Sequence, residues 1–242
     1  MNHENDWKFG HTRRSFLQTS AAIGTSLVLS RSAVMFAAEK NESEKEGPNK
    51  VGPAEDLMRE HGVLRRVLLI YEEASRRLMK SSPDLRPETL KESAGIIRGF
   101  VEDYHEKLEE DYLFPRFRKA GKQVDLVEVL LRQHQKGRLI TEQVQRLSEA
   151  STFKDSAARK RLAAYLGEFN RMYRPHAARE DTVLFPDFHK IVKLSEYDEL
   201  GEAFEDKENQ LFGEDGFENM VRKVADIEKK LGIYDLAQFT PG

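Results

Sequence analysis

Seven histidines and no cysteine occur in this chain of 242 residues. Without a thiol, disulfides, thiolate zinc sites, cysteine-ligated clusters and thiol catalysis are excluded, so any metal must be held by His, Asp and Glu. Four histidines stand out by position: His61, His105, His134 and His176 each fall within a stripe of otherwise apolar residues. Glu109 follows His105 by four residues, and Glu180 follows His176 by four. On a helix, side chains at i and i+4 project from one face a turn apart. Each His-x-x-x-Glu therefore offers an imidazole nitrogen and a carboxylate oxygen to one point.

The two occurrences are copies of one pattern. Residues 105–117 read HEKLEEDYLFPRF and residues 176–188 read HAAREDTVLFPDF, which align without a gap. His, Glu, Leu, Phe, Pro and Phe match, and Glu110 and Asp181 preserve charge. His61 and His134 are related by nearly the same offset, so a whole helix pair repeats. Four imidazoles buried without partners would each cost free energy, and protonating them together would cost more. A metal resolves both problems. The pattern predicts a pseudo-two-fold site with His61, His105 and Glu109 from one half and His134, His176 and Glu180 from the other.

The elements that must position these residues are helices. Leu57, His61, Leu64, Leu68 and Tyr71 recur at helical spacing in a first segment over about 54–80. A break at SSPDLRP precedes a second, which Pro87 opens and Ala120-Gly121-Lys122 closes. Its stripe carries Ala94, Val101, His105, Leu108 and Tyr112. The third carries Val127, Leu130, His134, Gly137, Thr141 and Val144, and the fourth Leu162, Leu166, Phe169, Tyr173, His176, Glu180 and Val183. Four long helices with short connections predict an all-α, antiparallel up-down-up-down four-helix bundle over 54–193. Pro115 and Pro186, late in the second and fourth segments, should kink or end their helices. Residues 194–242 read as a helical C-terminal extension, with a helix from about 216 to 231 and a last stretch too apolar for a free tail.

The composition fits: 33% charged, 39% hydrophobic, only 15 Gly and 8 Pro, with a mean hydropathy of −0.65. Lys plus Arg is 39 against 42 Asp plus Glu, so no basic excess argues for nucleic acid. The first residues read as an address. Residues 12–18, TRRSFLQ, put an Arg-Arg pair before Phe-Leu and a mild apolar run, which resembles a twin-arginine (Tat) export signal over 1–38. Either the cut falls near Ala38 or the leader is retained as an anchor. Residues 39–53 hold one sizeable apolar residue, Val51, and read as a flexible linker. This predicts engagement of the Tat machinery and a location in the periplasm or cell envelope.

Glu60-His61 near the start, followed by two copies of His-x-x-x-Glu-acid-x-x-Leu-Phe-Pro, resembles the hemerythrin-like (HHE) cation-binding family over roughly 54–193. The resemblance implies two irons inside the bundle, bridged by two carboxylates. It implies His61, His105, His134 and His176 as terminal ligands and Glu109 and Glu180 as the bridges. Mn or Zn would suit the same mixed donors, which do not by themselves choose among the three; the resemblance favours iron. One departure is clear: oxygen-carrying members have a second histidine where this chain has Arg138, which points away from oxygen-carrier geometry. Arg138 either pairs with a carboxylate or screens the entrance. Tyr112 and Tyr173 either face the metals or pack as core residues, and Gly137 either allows close approach or serves as small packing.

The expected function is an exported non-haem di-iron protein that binds O2, NO or peroxide, with reduction as a further step that would require an electron donor. The alternatives are a binding or sensing module without turnover and a bundle holding a structural metal.

Overall fold

A computed structural model describes residues 51–80, 82 and 84–241 of the chain. The Arg13-Arg14 leader and most of the 39–53 linker lie outside the described residues.

The described chain is helical. α1 runs Pro53–Lys80, with Glu55 and Asp56 in its first turn and Arg77 and Lys80 in its last, complementing the helix dipole at both ends. α2 covers residues 87–120, opens on Pro87 and stops at Gly121, whose φ of 62° is the left-handed conformation that a C-terminal cap requires. α3 is Val124–Leu147 and α4 the short Ala150–Lys154. α5 covers residues 156–191, started by Asp155, whose carboxylate accepts from the Ala157 and Ala158 backbone N–H groups. α6 (Leu194–Phe212) and α7 (Gly216–Leu231) complete the set, with a final 3₁₀ turn at Leu236–Phe239.

α1 packs against α2 and α5, and α3 packs against the same two helices, so the four enclose a common interior as in a helical bundle. Every apolar stripe residue of the first and third segments is buried, including Gly137 and Thr141. α7 lies against α1 and α2 through Met220, Val224, Ile227 and Leu231. Arg66 of α1 reaches Glu228 and Arg77 reaches the Leu231 carbonyl, tying the extension on.

Three findings refine or correct the sequence expectation. Of the two outcomes expected, a kink or an end, Pro115 and Pro186 do not end their helices, which continue to Ala120 and Ile191, but distort them. Each proline is preceded by a widened π-turn, Glu109–Leu113 and Glu180–Leu184, in which the Phe114 and Phe185 N–H groups bond back to the Glu109 and Glu180 carbonyls. A proline ring clashes with the carbonyl four residues before it, and the wider turn relieves that clash. Second, a helix at Leu194–Phe212 precedes the anticipated Gly216–Leu231 helix. Third, the apolar tail is not packed away: Leu236 is 80% exposed and Phe239 53%.

Candidate metal centre

The six residues singled out by the repeat come together in the interior, none more than 4% exposed. His61 comes from α1, His105 and Glu109 from α2, His134 from α3, and His176 and Glu180 from α5. Local backbone helps aim them. His105 ends one π-helical stretch, Ile97–His105, and Glu109 begins the next; Glu180 begins the third. Such turns rotate the side chains that follow and recur at functional sites. Pro175, directly before His176, lies inside α5 and withholds one backbone donor there.

The carboxylates span the two halves. Glu109 Oε1 lies 3.8 Å from His105 Nε2, and its Oε2 lies 3.4 Å from His134 Nε2. Glu180 Oε2 lies 3.4 Å from His61 Nε2, and its Oε1 lies 3.0 Å from His176 Nε2. His134 Nε2 and His176 Nε2 are 3.2 Å apart. Donor atoms of Glu109, His134, His176 and Glu180 all fall within 4.8 Å of one another, as do those of His61, His105 and Glu109.

The other nitrogen of every imidazole is occupied. His61 Nδ1 lies 2.7 Å from Asp181, His105 Nδ1 2.8 Å from Glu60, His134 Nδ1 3.1 Å from Glu110, and His176 Nδ1 2.8 Å from the Gln133 amide oxygen. All four partners are acceptors, so in the neutral rings Nδ1 carries the proton and donates it. Each Nε2 then turns a lone pair toward carboxylate oxygens. All four oxygens of Glu109 and Glu180 are buried without a hydrogen bond. Lone pairs facing lone pairs in a buried interior repel, and protons or cations between them remove the repulsion. The donor set therefore fits metal cations, with mixed nitrogen and oxygen ligands suited to first-row ions.

Proton affinities follow the same logic. Burial, with Glu180 close by, holds the Glu109 carboxyl well above the ordinary range. Against the cost of burial, His176 and His61 hold Glu180 well below it. Burial drives His105 well down and brings His134 to about 4, despite Glu110 beside it. His61 is the exception: Asp181 and Glu180 outweigh burial and raise it. Without a cation, the carboxylate pair shares charge unevenly.

Around this core, Phe185 stacks on His61 with ring centres 5.6 Å apart, and Phe114 on His134 at 5.5 Å, so the Phe of each Leu-Phe-Pro walls one half. Tyr173 packs on His176 at 5.2 Å and donates a 2.6 Å hydrogen bond to Glu106 Oε1. Gly137 permits this, since a Cβ there would meet the Tyr173 hydroxyl. Arg138 pairs with Glu106 at 2.8 Å and with Glu110 at 2.7 Å. Of the two tyrosines, only Tyr173 borders the centre; Tyr112 packs on Phe204 of α6 beneath Lys207. His189 stands apart, bonded to Glu55 and Tyr197.

Sequence reasoning assigned no role to Glu60, Glu110, Gln133 and Asp181. The available signal was adjacency: each is the chain neighbour of a candidate ligand, and two of them are acids at equivalent places in the repeat.

Comparison with known proteins shows the family. The family model described as Hemerythrin HHE cation binding domain matches residues 52–188, and again residues 125–230, the second match starting in α3. Two of the similar curated proteins are Uncharacterized protein Mb2018 of Mycobacterium bovis and Uncharacterized protein Rv1995 of Mycobacterium tuberculosis. Each is 52% identical over 187 residues, covering 77% of this chain and 73% of the relative. No solved structure gives a significant match.

Proposed function

The chain belongs to the hemerythrin HHE cation-binding domain family, and from that premise we propose that it is an exported non-haem di-iron protein that binds O2, NO or peroxide and reduces the bound molecule when supplied with electrons. The observation that carries the reading is the gathering of four imidazole Nε2 atoms around four carboxylate oxygens that lack a hydrogen bond, all in one buried interior. In this reading His61 and His105 hold one ion and His134 and His176 the other. Glu109 and Glu180 would be the carboxylates shared between the two positions, since each lies near one histidine of both pairs. Two irons held this way would supply open coordination positions for a small ligand and electrons for its reduction.

The chain's own residues set the conditions. Phe114 and Phe185 exclude water from the two halves. Glu60, Asp181, Glu110 and Gln133 fix the tautomer and orientation of the ligand rings. Tyr173 holds its proton, because burial and the adjacent Glu106 raise it far above the ordinary phenol, and keeps a hydroxyl beside His176. Arg138 stands where oxygen carriers have a further histidine and is engaged with Glu106 and Glu110, which favours a symmetric ligand set over the carrier's.

The same reading gives residues 54–193 the antiparallel four-helix core, 194–242 the role of a helical C-terminal extension, and 1–38 that of a Tat leader to the periplasm or cell envelope. Metal analysis and an optical spectrum of protein from an export-competent host test it. Two irons per chain, with bands that respond to added O2, NO or peroxide, are expected. Zinc alone, or no metal after anaerobic iron reconstitution, overturns the redox reading. Ligand binding without consumption of NO or peroxide under reductant identifies a binding module instead.

A further inference from the structure

The four groups that hold the Nδ1 atoms follow the internal repeat, and one of them breaks it. Each is the chain neighbour of a ligand and reaches a histidine on another helix. Glu60, before His61, holds His105; Gln133, before His134, holds His176. Glu110, after Glu109, holds His134; Asp181, after Glu180, holds His61. Glu110 and Asp181 are equivalent acids, but the counterpart of Glu60 is the neutral amide Gln133. His61 and His105 are thus both supported by carboxylates, at 2.7 and 2.8 Å. His134 and His176 have one carboxylate, at 3.1 Å, and one amide. That single carboxylate also serves Arg138 at 2.7 Å and Lys107 at 2.5 Å.

A carboxylate accepting the Nδ1 proton pushes electron density through the ring and makes Nε2 a stronger donor; an amide oxygen does so much less. We infer that Gln133 makes the two metal positions unequal, with the ion held by His134 and His176 the weaker-bound and exchangeable one. This rests on the two-ion reading above. Such inequality lets one ion stay as a fixed anchor while the other, the better Lewis acid, takes up the exogenous ligand. Gln133 is a positioning residue, since it acts only through His176.

The test is a titration of the metal-freed full-length protein with ferrous iron under anaerobic conditions, in competition with a chromophoric chelator. The parent should take up two ions in two steps separated by about tenfold or more, the scale of such outer hydrogen bonds. Gln133→Glu should bring the two constants within a few-fold of each other by strengthening the weaker step. Glu60→Gln should also close the gap, by weakening the tighter step. Equal steps in the parent, or a gap unchanged in both variants with the helical circular dichroism intact, would overturn the inference while leaving two-ion binding in place. Uptake of fewer than two ions by the parent removes the two-ion reading and this inference with it.

Discussion

The Tyr173 hydroxyl occupies the space that a side chain at Gly137 would need: a Cβ on Gly137 would stand 2.0 Å from it. The pair joins α3 to α5 beside His176, and the phenol that fills this notch also donates to Glu106. The glycine is needed for its lack of a side chain, not for an unusual backbone angle.

Gly137→Ala should therefore destabilise the protein by about 1–3 kcal/mol, the usual cost of overpacking a close-fitted core. Combined with Tyr173→Leu, which vacates the contested space, the loss should be less than the sum of the two single changes. Urea unfolding of the four proteins measures this. Strict additivity would mean that the two side chains do not compete for that space.

Stability of the metal-free protein should carry a pH signature from Glu102. Burial raises its carboxyl above the ordinary value, against the opposing pull of Thr141, Arg98 and Arg138. A carboxyl raised in the fold keeps a proton that the unfolded chain releases. Its contribution is present below the unfolded value near 4.5 and is lost as pH rises through the folded value. Glu102→Gln, which cannot ionise, should flatten that decline, so the variant gains on the parent from pH 4 toward pH 7. Parallel urea midpoints across this range would contradict the assignment.

Removing metal should lower stability and adding it back should release protons. An ion bound a thousandfold above its dissociation constant stabilises the fold by about 4 kcal/mol. Because burial and the nearby Glu180 raise the Glu109 carboxyl well above the ordinary range, a cation competes there with a proton, and affinity should fall as pH is lowered. Calorimetry in two buffers of different ionisation enthalpy reports the number released; identical heats would mean none.

Pro115→Ala should change the centre without touching a ligand. With the ring gone, the Glu109–Leu113 turn is free to tighten to ordinary α-helical bonding, which rotates Glu109 away from its present direction. Metal affinity should drop on the order of tenfold while helical content is kept. Pro186→Ala should act likewise through Glu180. Unchanged affinity in both would detach the prolines from the aim of the carboxylates.

Much of the candidate site is legible in the sequence alone. His61, His105, His134 and His176 sit at 3.6-residue spacing among Leu, Val and Phe, and a helix must bury such a stripe. The gapless match of residues 105–117 to 176–188 then made the two halves equivalent. The Leu194–Phe212 helix was less visible, though Tyr197, Leu200 and Phe204 hold helical spacing among many acids and are buried. The tail misled, because apolar composition alone does not say whether a neighbouring surface is there to receive it.

By itself, the sequence determined the helical periodicity, the six inward residues and their two-fold repeat, because each is a matter of spacing along the chain. Only the tertiary structure decided what holds each imidazole. Glu60 reaches His105 across 45 residues and Asp181 reaches His61 across 120, contacts set by how helices pack side by side. It likewise decided that Tyr173 and not Tyr112 borders the centre, and that the chain passes Pro115 and Pro186 by widening a turn. Spacing along one helix fixes which face a residue occupies, but the partner it meets there belongs to another helix, and that pairing exists only once both are packed.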